Sequence, residues 1–156
     1  MILPGHIASA YLASRATGAS LTGALAASMF PDLIDKPVRW ILDVTPNDRI
    51  PAHTAWFWLG TTWLARLVAG RRVAEGWAIG YGAHLLGDEI NAHLNPGRIY
   101  FWWPLKRYRL HRGPTGLSSS LADFSPASLL VEGSVVLVAL GVALLSARAG
   151  KGQGGD

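Results

Sequence analysis

The sequence predicts an all-α fold, a small helical bundle with membrane-embedded helices, and three observations carry that prediction. Half of the residues are apolar and only 15% are charged, against about 25% in an ordinary soluble domain. The apolar residues fall in runs of helical length punctuated by Pro and Gly, with no strand-like alternation. Residues 127–147 hold a single charge, Glu132, and that run matches the roughly 20 residues a membrane-crossing helix needs. The length of 156 residues fits one domain, expected over 1–148, with a disordered tail at 149–156.

In chain order, Pro4-Gly5 introduces a helical run over 6–13, interrupted by Arg15, Thr17, Gly18 and Ser20. A second run, 21–30, follows with Ser20 as its cap. At ~1.5 Å per residue neither crosses a ~30 Å hydrocarbon core alone. They read as a helical hairpin or a broken helix packed through Gly and Ala, since close approach in lipid needs small residues. Pro31 is expected to stop the second run, with Asp32 and Asp35 directly after it and Pro37 blocking continuation. Residues 36–51 gather Lys36, Arg39, Asp43, Asp48 and Arg49 and read as a loop outside the bilayer, with a short helical turn around Trp40.

Residues 54–69, TAWFWLGTTWLARLVA, form a Trp-rich helix suited to the membrane interface. The central helix is expected over 75–92, ended by Pro96-Gly97. A polar segment then runs to about Pro126, with Lys106, Arg107, Arg109, His111 and Arg112 beside Trp102, Trp103 and Tyr108. Such a cluster suits single-stranded nucleic acid as well. In a chain this apolar a headgroup-level belt fits better, so membrane lipids are the expected partners and nucleic acid is not. The net charge of +4 has the same explanation. The first fifteen residues lack a basic stretch and do not read as a cleavable signal peptide.

Ionisable groups in or beside membrane helices are costly, which makes them functional candidates. Here these are His6, Asp32, Asp35, His53, His84, Asp88 and Glu132. His84, Asp88 and Asn91 share one stripe of the central helix, and a His and a carboxylate one turn apart can close on one metal ion. Each candidate also has a plainer reading. His6 is near a helix start, Asp32 and Asp35 can cap a turn, His53 can rest at the interface, and His84 with Asp88 can be a buried hydrogen bond. Glu132 has no sequence neighbour to pair with. His93 and His111 lie in polar context as solvated imidazoles, while Tyr81, Arg49 and Asn91 suit supporting positions behind the ligands.

With no cysteine in the chain, any metal is held by His, Asp, Glu or water. Three His and several carboxylates suit Zn²⁺, Mn²⁺ or Fe²⁺, as one ion or a pair bridged by an Asp. A metal-bound water, its pKa lowered toward ~7, is the nucleophile for hydrolysis. No Gly-x-Ser-x-Gly elbow, thiol or phosphate-cradling Gly loop competes with that chemistry. The substrate class is a small-molecule or lipid ester at the membrane, with a phosphoester favoured by neighbouring Arg and Lys. Asp35, Asp88 and Arg49 are the expected catalytic residues.

Three blocks carry a family resemblance: His6 followed by an apolar run into Phe30-Pro31-Asp32-Leu33-Ile34-Asp35; Arg49 to Thr54; and Gly80-Tyr81-Gly82-Ala83-His84-Leu85-Leu86-Gly87-Asp88 running to Trp103-Pro104. In this order and spacing they resemble the YdjM-type membrane-bound metal-dependent hydrolases, small bacterial and archaeal inner-membrane proteins. The resemblance covers residues 6–104, about two-thirds of the chain. It implies a multi-pass protein of the inner (plasma) membrane with metal ligands at His6, Asp32, Asp35, His53, His84 and Asp88, in a pattern similar to that of zinc-dependent phospholipase C. The middle block departs from the family's His-Arg-Gly-x-Thr-His-Ser, with Asp48 standing in place of the first His. Two further readings compete with the hydrolase. One is a non-catalytic membrane protein with a structural ion or a polar helix–helix site. The other is a basic membrane-proximal module that recruits a partner through residues 98–112.

Overall fold

Five helices are laid down in order: α1 (Leu3–Thr17), α2 (Leu21–Trp40), α3 (Ala55–Ala69), α4 (Arg71–Leu94) and α5 (Pro126–Gly152). The computed structural model describes residues 2–94, 100–110, 112, 116 and 125–152, and no strand occurs among them. The fold is an all-α bundle, as the sequence predicts. The expected stop at Pro96-Gly97, Arg98, His111 and tail residues 153–156 lie outside the described residues.

α1 and α2 form a hairpin. Gly18 ends α1 with φ 71°, a left-handed conformation that only glycine adopts without strain, and the Ser20 hydroxyl caps α2 by accepting from the Gly23 amide. α2 does not stop at Pro31. It runs on through Pro31 and Pro37 to Trp40, so the expected loop over 36–51 begins only at Ile41. Each internal proline removes one ladder hydrogen bond, a local cost of about 3 kcal/mol or more. Burial against α4 offsets that cost, because tertiary packing rather than propensity decides most helices. α4 likewise exceeds its expected bounds at both ends, and α5 runs past residue 147.

α4 is the central helix and meets all the others. Its seam with α2 is made of glycine: a Cβ on Gly80 would fall on the Ala24 carbonyl oxygen and 2.6 Å from its Cα. A Cβ on Gly23 would lie 2.6 Å from the Val73 carbonyl oxygen. Four successive contacts, Gly76 to Ser20, Gly80 to Ala24, His84 to Ser28 and Asp88 toward Asp32 through His53, show that α2 and α4 run parallel. α3 packs antiparallel to α4, with Trp58 Nε1 donating to the Ala78 carbonyl and Trp77 Nε1 to the Thr61 hydroxyl.

α5 runs parallel to α1. Near its start Glu132 accepts from the Ile2 and Gly5 amides at 3.0 and 3.1 Å, and near its end Ser146 accepts from Arg15 at 3.1 Å. Glu132 is thus the cap of α1, supplied from 127 residues away, and its negative charge faces the positive end of that helix. Replacing Glu132 by Ala is expected to cost about 1–3 kcal/mol, since two amides lose a charged acceptor. Urea unfolding in detergent measures it, and Glu132→Gln should recover part of the loss.

One consequence of these directions positions the site. The start of α1, the ends of α2 and α4 and the start of α5 gather at one end of the bundle. Among the described residues α5 alone is long and apolar enough to cross a membrane, over Pro126–Ala149. The multi-pass arrangement expected from the sequence is therefore not supported by the other helices.

Candidate metal centre

At that end α1, α2, α4 and the connection before α3 bring their ionisable groups together. α1 contributes His6 from its first turn and α2 contributes Asp32 and Asp35. The connection before α3 contributes Arg49 and His53, and α4 contributes His84 and Asp88. His53 Nε2 lies 3.0 Å from His84 Nε2, 3.3 Å from Asp88 Oδ2 and 3.6 Å from Asp32 Oδ1. His6 Nε2 is 3.4 Å from Asp88 Oδ1, and the His6 ring stacks on that of His84 with centroids 3.7 Å apart. Two groups emerge with donor atoms all within 4.8 Å of one another and able to hold a metal ion: His6 with Asp32 and His84, and His53 with His84 and Asp88.

The tautomers follow from what stands behind each ring. His84 Nδ1 is 2.6 Å from the Ser28 carbonyl, which can only accept, so Nδ1 carries the proton and Nε2 keeps its lone pair. His53 Nδ1 donates to Asp35 Oδ2 at 2.7 Å, which leaves its Nε2 facing the donors. Two neutral imidazoles with lone pairs opposed across 3.0 Å repel. A cation between them, or a proton on His53, removes the repulsion. The carboxylates supply the electrostatics for either: burial works against a charged His53, but hydrogen bonds to Asp32, Asp35 and Asp88 outweigh it and hold the imidazole well above the usual histidine range. Burial, joined by the charges of His6 and His53, holds His84 well below that range. The donor set therefore fits a divalent ion: three imidazole nitrogens and two carboxylates, without sulfur, in a buried pocket.

Asp35 is placed differently from Asp32 and Asp88. Its side chain has no exposed surface, and it accepts from the Ala52 and His53 amides as well as from the His53 ring. It stands behind His53 and fixes both the ring and the backbone that carries it. Asp32 remains partly exposed and pairs with Lys36 at 2.6 Å. Arg49 donates to Asp88 Oδ2 at 2.9 Å from the partly exposed side. Tyr81 ties the His53 connection to α4 by donating to the Ala52 carbonyl. Asp48 joins neither donor group; its charge, behind that of Asp88, helps keep Arg49 protonated against the opposing effect of burial.

A model of the YdjM inner membrane protein family matches residues 2–150. The chain belongs to the YdjM inner membrane protein family. No curated protein and no solved structure matches it. The family model takes in all five helices almost entire, including the α5 region that the sequence resemblance did not reach.

Other expected positions separate from this cluster. Glu132 caps α1 and contributes no donor to it. Asn91 is half-buried on α4 and joins neither group, while His93 is exposed beside Glu89. Sequence reasoning missed the Ser28 carbonyl, for which no side-chain signal exists, and the capping role of Glu132. Its lone charge in an apolar helix was the available sign.

Proposed function

We propose that this YdjM-family chain is a metal-dependent hydrolase of the inner membrane, acting on a phosphoester or lipid-like ester. What carries the reading is the pair of imidazole Nε2 atoms opposed at 3.0 Å beside Asp88, with the back of each ring locked. Buried charges are expensive to assemble, and clusters of them are retained where chemistry uses them. His6, His53, His84, Asp32 and Asp88 surround the ion in this reading. Only one nitrogen of His84 is free to bind, and both donor groups need it, so they compete and the site takes a single ion. Zn²⁺ fits this donor set, with Mn²⁺ and Fe²⁺ as the alternatives. When bound, the ion supplies Lewis acidity and a water acidic enough to attack near neutral pH.

The chain's own groups do the rest. Asp35 orients His53 and holds its proton on Nδ1. Arg49 neutralises Asp88 and offers an N–H fork to an anionic ester oxygen from the open side of the site. Burial works against the charge of Asp32, on that same side, but His53, His84 and Lys36 hold its carboxyl well below the usual range, so it stays ionised as a ligand. The closed wall formed by α1, α2 and α4 keeps other water out.

Metal analysis of detergent-purified chain tests the first half, with one equivalent expected per chain. Hydrolysis of p-nitrophenyl phosphate and of bis-p-nitrophenyl phosphate tests the second. A chain that binds its ion and folds but cleaves neither these nor phospholipid holds a structural ion instead. Asp35→Asn is expected to lower metal affinity by about 10–100-fold, the usual loss when a group behind a ligand is changed, while the helical content is kept. Titration with Co²⁺, followed by its visible absorption, measures that loss.

A further inference from the structure

The site-bearing end of the bundle carries an apolar rim that nothing among the described residues covers. Beyond α2, Ile41, Leu42 and Val44 are exposed by 78%, 62% and 72%. In the segment after α4, Trp102 and Leu105 are exposed by 51% and 72%, and Lys106 and Arg107 are exposed between them and Tyr108. The two loops form one surface, because Arg112 pairs with Asp43 at 2.7 Å. Bulky apolar tips interleaved with cations match a phospholipid interface, where tips enter the acyl boundary and cations meet phosphate.

Depth along the bundle gives the same answer independently. Glu132 touches the first turn of α1, next to His6, and stands six residues into α5, about 9 Å from the Pro126 end of the span. From Asp32, at the level of the donors, α2 continues eight residues to Trp40, about 12 Å. The rim thus lies at the height where the span begins, and the donor cluster lies about 9 Å further along the span.

We infer that this end of the bundle is seated in the headgroup layer of an anionic phospholipid leaflet, and that the ester brought to the site belongs to a phospholipid of that leaflet. The substrate half of this inference rests on the hydrolase reading; the seating does not. Arg49 and Lys36, on the open side, are placed to meet the lipid phosphate, and the rim holds the leaflet against the opening.

The chain has no cysteine, so Leu42→Cys can carry a single polarity-sensitive fluorophore. Full-length labelled protein is reconstituted in vesicles of phosphatidylethanolamine and phosphatidylglycerol, with doxyl quenchers high or low on the acyl chain. The expected result is blue-shifted emission quenched more by the shallow doxyl than by the deep one. Emission as in water overturns the seating, and so does a blue shift that no lipid quencher reaches, which would mark a protein contact. In the same vesicles, phospholipid cleavage should fall by about tenfold or more in the Ile41→Asp, Leu42→Asp double variant, with bound metal retained as the sign of an intact fold. Cleavage of p-nitrophenyl phosphate without cleavage of vesicle phospholipid overturns the substrate half and spares the hydrolase. A seated, metal-loaded chain that cleaves neither removes the hydrolase reading and the substrate half with it, and leaves the seating established.

Discussion

Chain in which His53 is replaced by Ala is expected to emerge from purification without its metal. His53 Nε2 stands within 3.6 Å of donor atoms from His84, Asp88 and Asp32, so it is the one imidazole that touches most of the cluster. Its removal opens a gap on the side of α3 and leaves Asp88 with His6, His84 and Arg49. The loss of affinity should exceed the ~100-fold upper range for a group that only supports a ligand. Hydrolysis of any ester should disappear with the metal. The fold should persist, because Asp35 still accepts from the amides of residues 52 and 53. His93→Ala, on the exposed end of α4, serves as the control and should change nothing. Metal content by mass spectrometry together with circular dichroism decides it. A His53→Ala chain that keeps one equivalent of metal would remove His53 from the ligand set.

Gly80→Ala should be the most damaging single-methyl change in the chain. The added carbon would meet the Ala24 backbone, which cannot yield as a side-chain tip can. Overpacking of this kind costs about 1–3 kcal/mol and occasionally more, and here it falls on the longest seam in the bundle. The site lies on the same seam: pushing α4 away from α2 separates His84 from the Ser28 carbonyl, and Asp88 from Asp32. Metal affinity should therefore drop even in whatever fraction remains folded. Gly60→Ala and Gly133→Ala make the contrast, since a methyl at either meets nothing within 4 Å. Both should be neutral or stabilising by up to about 1 kcal/mol, the helix propensity gained over Gly. Thermal unfolding of the three variants in one detergent, with metal titration of the Gly80 variant, tests the argument.

The helices were legible where apolar runs and caps agreed, as at Ser20, and where a long run carried one charge, as in α5. α2 was not legible past Pro31. The local penalty of proline is written in the sequence, whereas the seam that outweighs it depends on Gly76 and Gly80, some fifty residues further on. The site residues stood out for an equally physical reason: an imidazole or carboxylate in oily surroundings is conspicuous against a low density of charge. Their division of labour was not. Asp32 and Asp35 look equivalent in the chain, yet one faces the donors and the other buttresses His53, a difference set by which side of α2 the 52–53 backbone crosses. The Ser28 carbonyl, shared by every residue type, gave no sign at all.

The capping of α1 by Glu132 bears on how the protein is made. A ribosome releases α1 long before α5, so the first turn of α1 waits without this carboxylate while the segments between them are still being translated. His6 cannot be held firmly until that late carboxylate arrives. A hydrophobic segment translated late thus fastens a ligand translated early, and a chain released before residue 132 would carry the donor atoms of the site yet lack the clasp that sets one of them in place.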